Sequence, residues 1–156
     1  MAELDFIMHQ LYPDHQFNYG KTIVKGLIWG NVIDVDPVEV ISRLKDFINT
    51  MDFKLQFILK LVPIQEVLET NLQELSAFIQ ENMEKIGPSE SFKIVVRKRR
   101  VNLHSIDIID EIAKDINRNV DLDNPDKIIR LEIIGKYTGI SILEKGQIFS
   151  LGRKIF

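Results

Sequence analysis

Ser91-Phe92-Lys93-Ile94-Val95-Val96-Arg97-Lys98-Arg99-Arg100 is the stretch whose reading decides the fold. Phe92, Ile94 and Val96 alternate with Lys93, Val95 and Arg97, the period of two expected of a strand with one face in a core. The strand then runs into Lys98, Arg99 and Arg100, so five cations fall within eight residues of a chain whose formal charge is −3. Just beyond them Ser105 stands where an N-cap would, before a helical stripe of Ile106, Ile109, Ile112, Ala113 and Ile116. Strand, cationic end and helix in that order are one unit of an alternating strand–helix chain.

Moving toward the C-terminus, Asp121, Asp123, Asn124, Pro125 and Asp126 mark a turn. Strands are expected over residues 128–134 and 138–143, joined by a turn from Gly135 to Tyr137, with Phe149 and Leu151 docking the tail. Toward the N-terminus, Leu72, Leu75, Phe78, Ile79 and Met83 form one helix face, ended by Gly87-Pro88. Residues 64–69 are expected as a short helical piece before it, with Thr70 and Gln73 as a capping box. Residues 53–62 read as a strand ending at Pro63.

A further helix is expected from Val40, Ile41, Leu44, Phe47, Ile48 and Met51, with Asp36 as cap, Pro37 in the first turn and Glu39 as capping-box partner. Residues 22–35, punctuated by Gly26 and Gly30, read as a hairpin. Residues 3–10 read as a short strand around Phe6, Ile7 and Met8, followed by a polar loop. Strands alternate with helices in both halves, which predicts an α+β chain of two small helix-covered sheets, with the break near residues 61–64.

With 45% hydrophobic and 28% charged residues the chain has material for an ordinary core, and disorder, collagen and disulfide scaffolds are excluded. The absence of cysteine removes thiolate catalysis, thiolate metal sites and redox chemistry, and points to a cytoplasmic setting. No apolar run approaches the roughly 20 residues of a membrane span, and Glu3 and Asp5 stand where a secretory leader carries positive charge. No membrane partner is expected.

Motifs that resemble catalytic chemistry fail on inspection. Gly20-Lys21-Thr22 imitates the end of a phosphate-binding loop, but His15 occupies the place of its first glycine and the following segment is β-patterned. Asp121, Asp123 and Asp126 suggest a calcium loop, yet Pro125 stands at a ligand position and no closing glutamate follows. His9, His15 and His104 are scattered without metal-ligand or triad spacing. Glu81, Glu84, Asp107, Asp110 and Glu111 lie on polar helix faces. Catalytic residues, metal ligands and cofactors are therefore all expected to be absent, and the chain is expected not to be an enzyme.

The anomaly is the basic strand end: Lys93, Arg97, Lys98, Arg99 and Arg100. Guanidinium groups beside a helix N-terminus suit a phosphate, although Asp107 in the first helical turn opposes this. The competing reading is a solvated strand end paired with the acidic helix that follows.

Leu61-Val62-Pro63-Ile64, the capped helix after it, Ser91-Phe92-Lys93-Ile94 running into Lys98-Arg99-Arg100, His104-Ser105, Val120-Asp121-Leu122 with Asn124-Pro125-Asp126, and Gly139-Ile140-Ser141-Ile142 together resemble a THUMP domain. The chain is more closely similar to the stand-alone archaeal THUMP proteins related to the eukaryotic adaptor for tRNA cytidine acetylation. The resemblance implies a truncated ferredoxin-like N-terminal domain over residues 1–62, followed by an α/β THUMP domain over residues 63–156. In the reduced first domain, a polar segment over residues 11–20 takes the place of the helix that follows the first strand.

What the resemblance implies about function is a tRNA-binding adaptor. It would recognise the acceptor end and overall shape of tRNA and present it to a tRNA-modifying enzyme such as a cytidine acetyltransferase. Carried over by position, Arg97, Lys98, Arg99 and Arg100 match the family's basic strand end and Ser105 the helix opening, with Lys93 in the same run. Lys136, Lys60 and Lys145 are added by charge near strand ends, and Tyr137 as a stacking residue. Phe92 is assigned to packing. The alternative is a protein–protein interaction module of an RNA-modification complex without direct RNA contact. The last expected strand ends about a dozen residues before residue 156, so no fused catalytic domain is expected.

Overall fold

The computed structural model describes residues 1–152; residues 153–156, where the expected second domain ends, lie outside the described residues. The chain forms two compact units, Met1–Pro63 with the segment from Gly146 on, and Ile64–Lys145. The boundary falls one residue after the expected one. The tail is grouped with the first unit rather than the second, and its strand over Phe149–Ser150 pairs there.

Unit 1 opens with helix α1 (Ala2–Leu11), where the sequence reading expects a strand. Leu4, Ile7 and Met8 are all buried, a three-and-four spacing whose helical face packs with Ile41 and Leu44 in one core cluster. That burial outweighs the brief local alternation around Ile7. A hairpin follows, β1 (Phe17–Lys21) against β2 (Ile28–Val32), with Phe17 opposite Val32 and Lys21 opposite Ile28. The hairpin is as expected in kind, but its first strand lies earlier and residues 22–27 are its turn.

Helix α2 (Pro37–Met51) has the expected cap: the Asp36 carboxylate accepts from the Val38 N–H at 2.7 Å, and Pro37 fills the first turn. Glu39 departs from its capping-box role and pairs with Arg43 at 3.2 Å. Strand β3 (Lys60–Leu61) is all that remains of the strand expected over residues 53–62. The segment before it is an irregular loop anchored by Glu3, whose carboxylate accepts from the N–H groups of Gln56, Phe57 and Ile58 at 2.6, 3.0 and 2.8 Å. The order α1-β1-β2-α2-β3 is that of a β-α-β-β-α-β ferredoxin-like unit without its leading strand. The helix expected to be missing is thus α1 itself.

Unit 2 begins with β4 (Glu66–Glu69), a strand where a helical piece is expected. It is an edge strand whose pairing partner lies far along the chain, so no local period announces it. Helix α3 (Leu72–Glu81) follows, capped not by Thr70 but by Asn71, which accepts from the Gln73 and Glu74 N–H groups at 2.9 and 3.2 Å. A short 3-10 turn over Met83–Lys85 leads to β5 (Ser91–Arg99), then α4 (Ser105–Ala113) and β6 (Asn119–Val120). Strands β7 (Lys127–Ile134) and β8 (Tyr137–Leu143) complete the unit. Strand β9 (Phe149–Ser150) returns to unit 1 and pairs with β3.

The five-stranded sheet has the order β4-β8-β7-β5-β6, with β5 parallel to β6 and β7, and β8 antiparallel to β7 and β4. Its helix-side face carries Phe92, Ile129, Leu131, Ile133, Ile140 and Ile142, packed with Leu75, Ile79, Ile108 and Ile112. Of the stripe expected for α4, Ile112 and Ile116 are buried, but Ile106 is exposed and Ile108 takes its place, because α4 turns a slightly different face inward. Each fully buried aliphatic side chain contributes about 1.5–3 kcal/mol, so this face carries most of the stability of unit 2.

Candidate nucleic-acid interface

Because β8 runs against both β4 and β7, the strands β4, β5 and β7 share one direction and their C-terminal ends lie along one edge. Helices α3 and α4 start just after β4 and β5, so both helix N-termini are delivered to that edge. The carboxyl ends of parallel strands are where open α/β sheets place their ligands, and helix N-termini there favour anions.

Backbone bonds tie the edge together. The Gly135 N–H donates to the Arg99 carbonyl at 2.8 Å, and the Thr70 N–H donates to the Lys136 carbonyl at 2.8 Å. The Thr70 hydroxyl donates to the Gly135 carbonyl at 2.9 Å. Gly135 sits at φ +57° in the first central place of the two-residue turn between β7 and β8, a conformation glycine adopts without steric cost.

Strand alternation sorts the basic run. Lys98 belongs to the helix side and its ammonium donates to the Leu103 carbonyl at 2.6 Å. Arg97 and Arg99 belong to the opposite side, in register with Glu132 and Ile134 of β7. Arg99 pairs with one Glu132 oxygen at 2.8 Å, while the other accepts from Nε and Nη2 of the fully buried Arg130 at 2.9 and 2.8 Å. One carboxylate thus serves two guanidinium groups, one oxygen to each.

Arg97 is exposed, and so is Arg100, which takes the left-handed conformation at φ +59° just past the strand. Among the described residues neither makes a side-chain hydrogen bond or ion pair. Lys136 occupies the β7–β8 turn with its ammonium 5.2 Å from the Tyr137 ring centroid, and that tyrosine is half exposed.

Ser105 reaches the same edge but does not cap α4. It is the first helical residue; His104 holds the cap position and its side chain makes no capping bond. The first amides of α4 are therefore left without a side-chain acceptor, and Asp107 in the first turn offsets part of their positive field. Glu69, opposite Tyr137 on β4, is a further anion at the edge.

Lys93 does not join this group. It stands six residues before Arg99 on an extended strand, roughly 20 Å away, and its ammonium donates to the Leu122 carbonyl at 3.2 Å. That far end is acidic and self-satisfied: the Ser91 N–H and hydroxyl both donate to the Asp126 carboxylate and hold it below its usual range. Lys60 lies in unit 1, and Lys145 follows the far end of β8.

The Asp-rich segment is a turn in which the Asp121 side chain accepts from the Asp123 and Asn124 N–H groups. The Thr22 hydroxyl of the phosphate-loop imitation donates to the Leu27 carbonyl and closes the hairpin turn. Among the described residues no group of three or more His, Cys, Asp or Glu side chains is placed to hold a metal ion. None of their helices is long and apolar enough to cross a membrane.

Sequence reasoning missed Glu132 and Asn71, gave the cap of α3 to Thr70, and placed Ser105 rather than His104 at the cap of α4. The signal for Glu132 was available: Arg130 and Glu132 share a face in a strand that is aliphatic at all its other positions after Lys127, which is unusual unless the charges are paired.

Residues 69–143 match the sequence model of the THUMP domain, from the last residue of β4 to the last of β8, so the chain carries a THUMP domain. Among solved structures, TrmN from Thermus thermophilus aligns with a TM-score of 0.57 at 16% identity, covering 90% of this chain and 41% of that one. A 4-thiouridine synthetase in complex with RNA and bound ATP aligns at 0.52 and 15% identity, covering 92% and 36%. PH1313 from Pyrococcus horikoshii Ot3 aligns at 0.50 and 17% identity, covering 81% and 44%. The chain spans about two fifths of the length of these proteins, and at such identities the likeness is one of fold. A search of curated proteins returns no match.

Proposed function

We propose that this THUMP-bearing chain is a non-catalytic tRNA-binding adaptor, of the stand-alone archaeal type, working in the cytoplasm. It holds the sugar-phosphate chain of tRNA near the acceptor end and presents it to a modifying enzyme, a cytidine acetyltransferase. The observation that carries this reading is the placing of exposed Arg97 and Arg100, Lys136 and two helix N-termini along one edge of unit 2. Such an edge matches phosphates, which give affinity and orientation without reading sequence. The fold likeness to a synthetase whose structure holds RNA supports the same reading.

Salt tests it. tRNA affinity should fall steeply between about 50 and 200 mM salt, and replacing both Arg97 and Arg100 with alanine should reduce the slope by about two. Binding and slope unchanged in the double variant would remove this edge from the function. Capture of the acetyltransferase that survives nuclease treatment and ignores the double variant would favour the protein-interaction alternative.

A further inference from the structure

We propose that the outer face of the β1–β2 hairpin in unit 1 is a stacking platform for an unpaired nucleobase of single-stranded RNA, with Trp29 as its plane. Trp29 is half exposed, at 51%, on the side of β2 opposite to buried Val32. Its cross-strand partner is Gly20. A Cβ on Gly20 would lie 2.8, 2.9 and 3.0 Å from three atoms of the indole, so one face of the ring rests on the glycine backbone. Covering a strand glycine with an aromatic is stabilising in itself, and it uses only that face of the ring. The other face is open.

The surroundings choose the occupant. Asn18 and Asn31 stand opposite each other on the same outer face, both exposed; the Asn18 oxygen accepts from the Gln16 amide at 3.2 Å, which leaves the Asn18 NH2 and the Asn31 amide to offer hydrogen bonds on that face. An apolar helix or peptide would leave those amides unpaired, whereas a base offers a flat surface and hydrogen-bonding edges together. Lys21 ends the strand that carries Gly20 and Lys25 lies in the hairpin turn, and residues 16–33 contain no carboxylate in a chain of net charge −3. Among the described residues neither lysine forms an ion pair. A flat aromatic beside free cations is how proteins hold single strands without reading sequence.

This inference concerns unit 1 and does not rest on the reading of the unit 2 edge. Trp29 is the only tryptophan, so its fluorescence reports on the site without a label. The full chain is titrated with a six-nucleotide single-stranded RNA, with an abasic oligoribonucleotide of the same length, and with a blunt RNA duplex. The single strand should quench the emission; the abasic chain and the duplex should not. Trp29→Leu keeps an apolar cover on Gly20 without a π-face and should bind the single strand about 5- to 100-fold more weakly, while Trp29→Phe retains most of the affinity.

Circular dichroism confirms that each variant folds. The Arg97/Arg100 double-alanine protein should show the wild-type quench with the short strand even where its tRNA affinity has fallen. Absence of quenching, equal affinity of the abasic chain, wild-type binding by Trp29→Leu, or loss of the quench in the folded double-alanine protein would each overturn the platform.

Discussion

Glu132→Gln should lower stability and strengthen RNA binding at once. The carboxylate holds Arg99 at 2.8 Å on one oxygen and Arg130 on the other, with Arg130 fully buried and the Glu132 side chain 12% exposed. Removing one partner of a buried pair costs about 3–5 kcal/mol. The amide oxygen keeps one acceptor and Arg130 has further partners, so about 2 kcal/mol is expected here. In a unit of this size 1 kcal/mol moves the midpoint by about 4–8 °C, which gives a fall of about 10 °C in a thermal melt. Arg99, released from its counter-ion, then adds to Arg97 and Arg100. The salt slope of tRNA binding should steepen by about one, with tighter binding at low salt. A melt unchanged from wild type would refute the reading of Glu132 as the counter-charge of Arg130. A folded variant with weaker tRNA binding at low salt would show that Arg99 does not face the RNA.

Two further outcomes test the local reasoning. Asn71→Ala should cost about 1 kcal/mol by removing the acceptor for two amides of α3, whereas Ser105→Ala should be near neutral because Ser105 is not the cap of α4; urea midpoints compare them. Burial tends to raise the Glu3 carboxyl, but the N–H donors of Gln56, Ile58 and Phe57 outweigh it and hold the group below 4.5. A depressed carboxyl adds stability above its unfolded value, and that stability is lost as pH falls through the folded value. Wild type should therefore outlast Glu3→Gln in urea at pH 7, and the two should converge as the pH is taken well below 4.5; a constant gap across that range would sink the assignment.

Where an element carries its own signal, it was legible. Helices α2 and α3, strand β5 and the β7–β8 hairpin all have periodic apolar faces or turn glycines whose meaning does not depend on distant residues. The errors fall where a partner elsewhere in the chain decides. Residues 3–10 are compatible with either period, and packing against α2 selects the helix. Residues 66–69 form a strand because β8 offers them an edge, and Asn71 rather than Thr70 caps α3 because the Thr70 hydroxyl is taken by Gly135 and Thr138.

The amino-acid order alone established a cysteine-free α+β chain with a THUMP-like second half and a cationic strand end in a net acidic body, because composition, periodicity and local charge are properties of neighbours in sequence. It had no means of ranking those cations. The pleat of β5 turns Lys98 to the helix side and Arg97 and Arg99 to the other, and the register with β7 sets Glu132 against Arg99 and Arg130. The length of the strand carries Lys93 away, while two crossovers bring Lys136 and two helix N-termini to the same edge. Which charges remain free to meet a polyanion is a question of distance, and pairing residues 97–100 with residues 130–137 is what folding alone accomplishes.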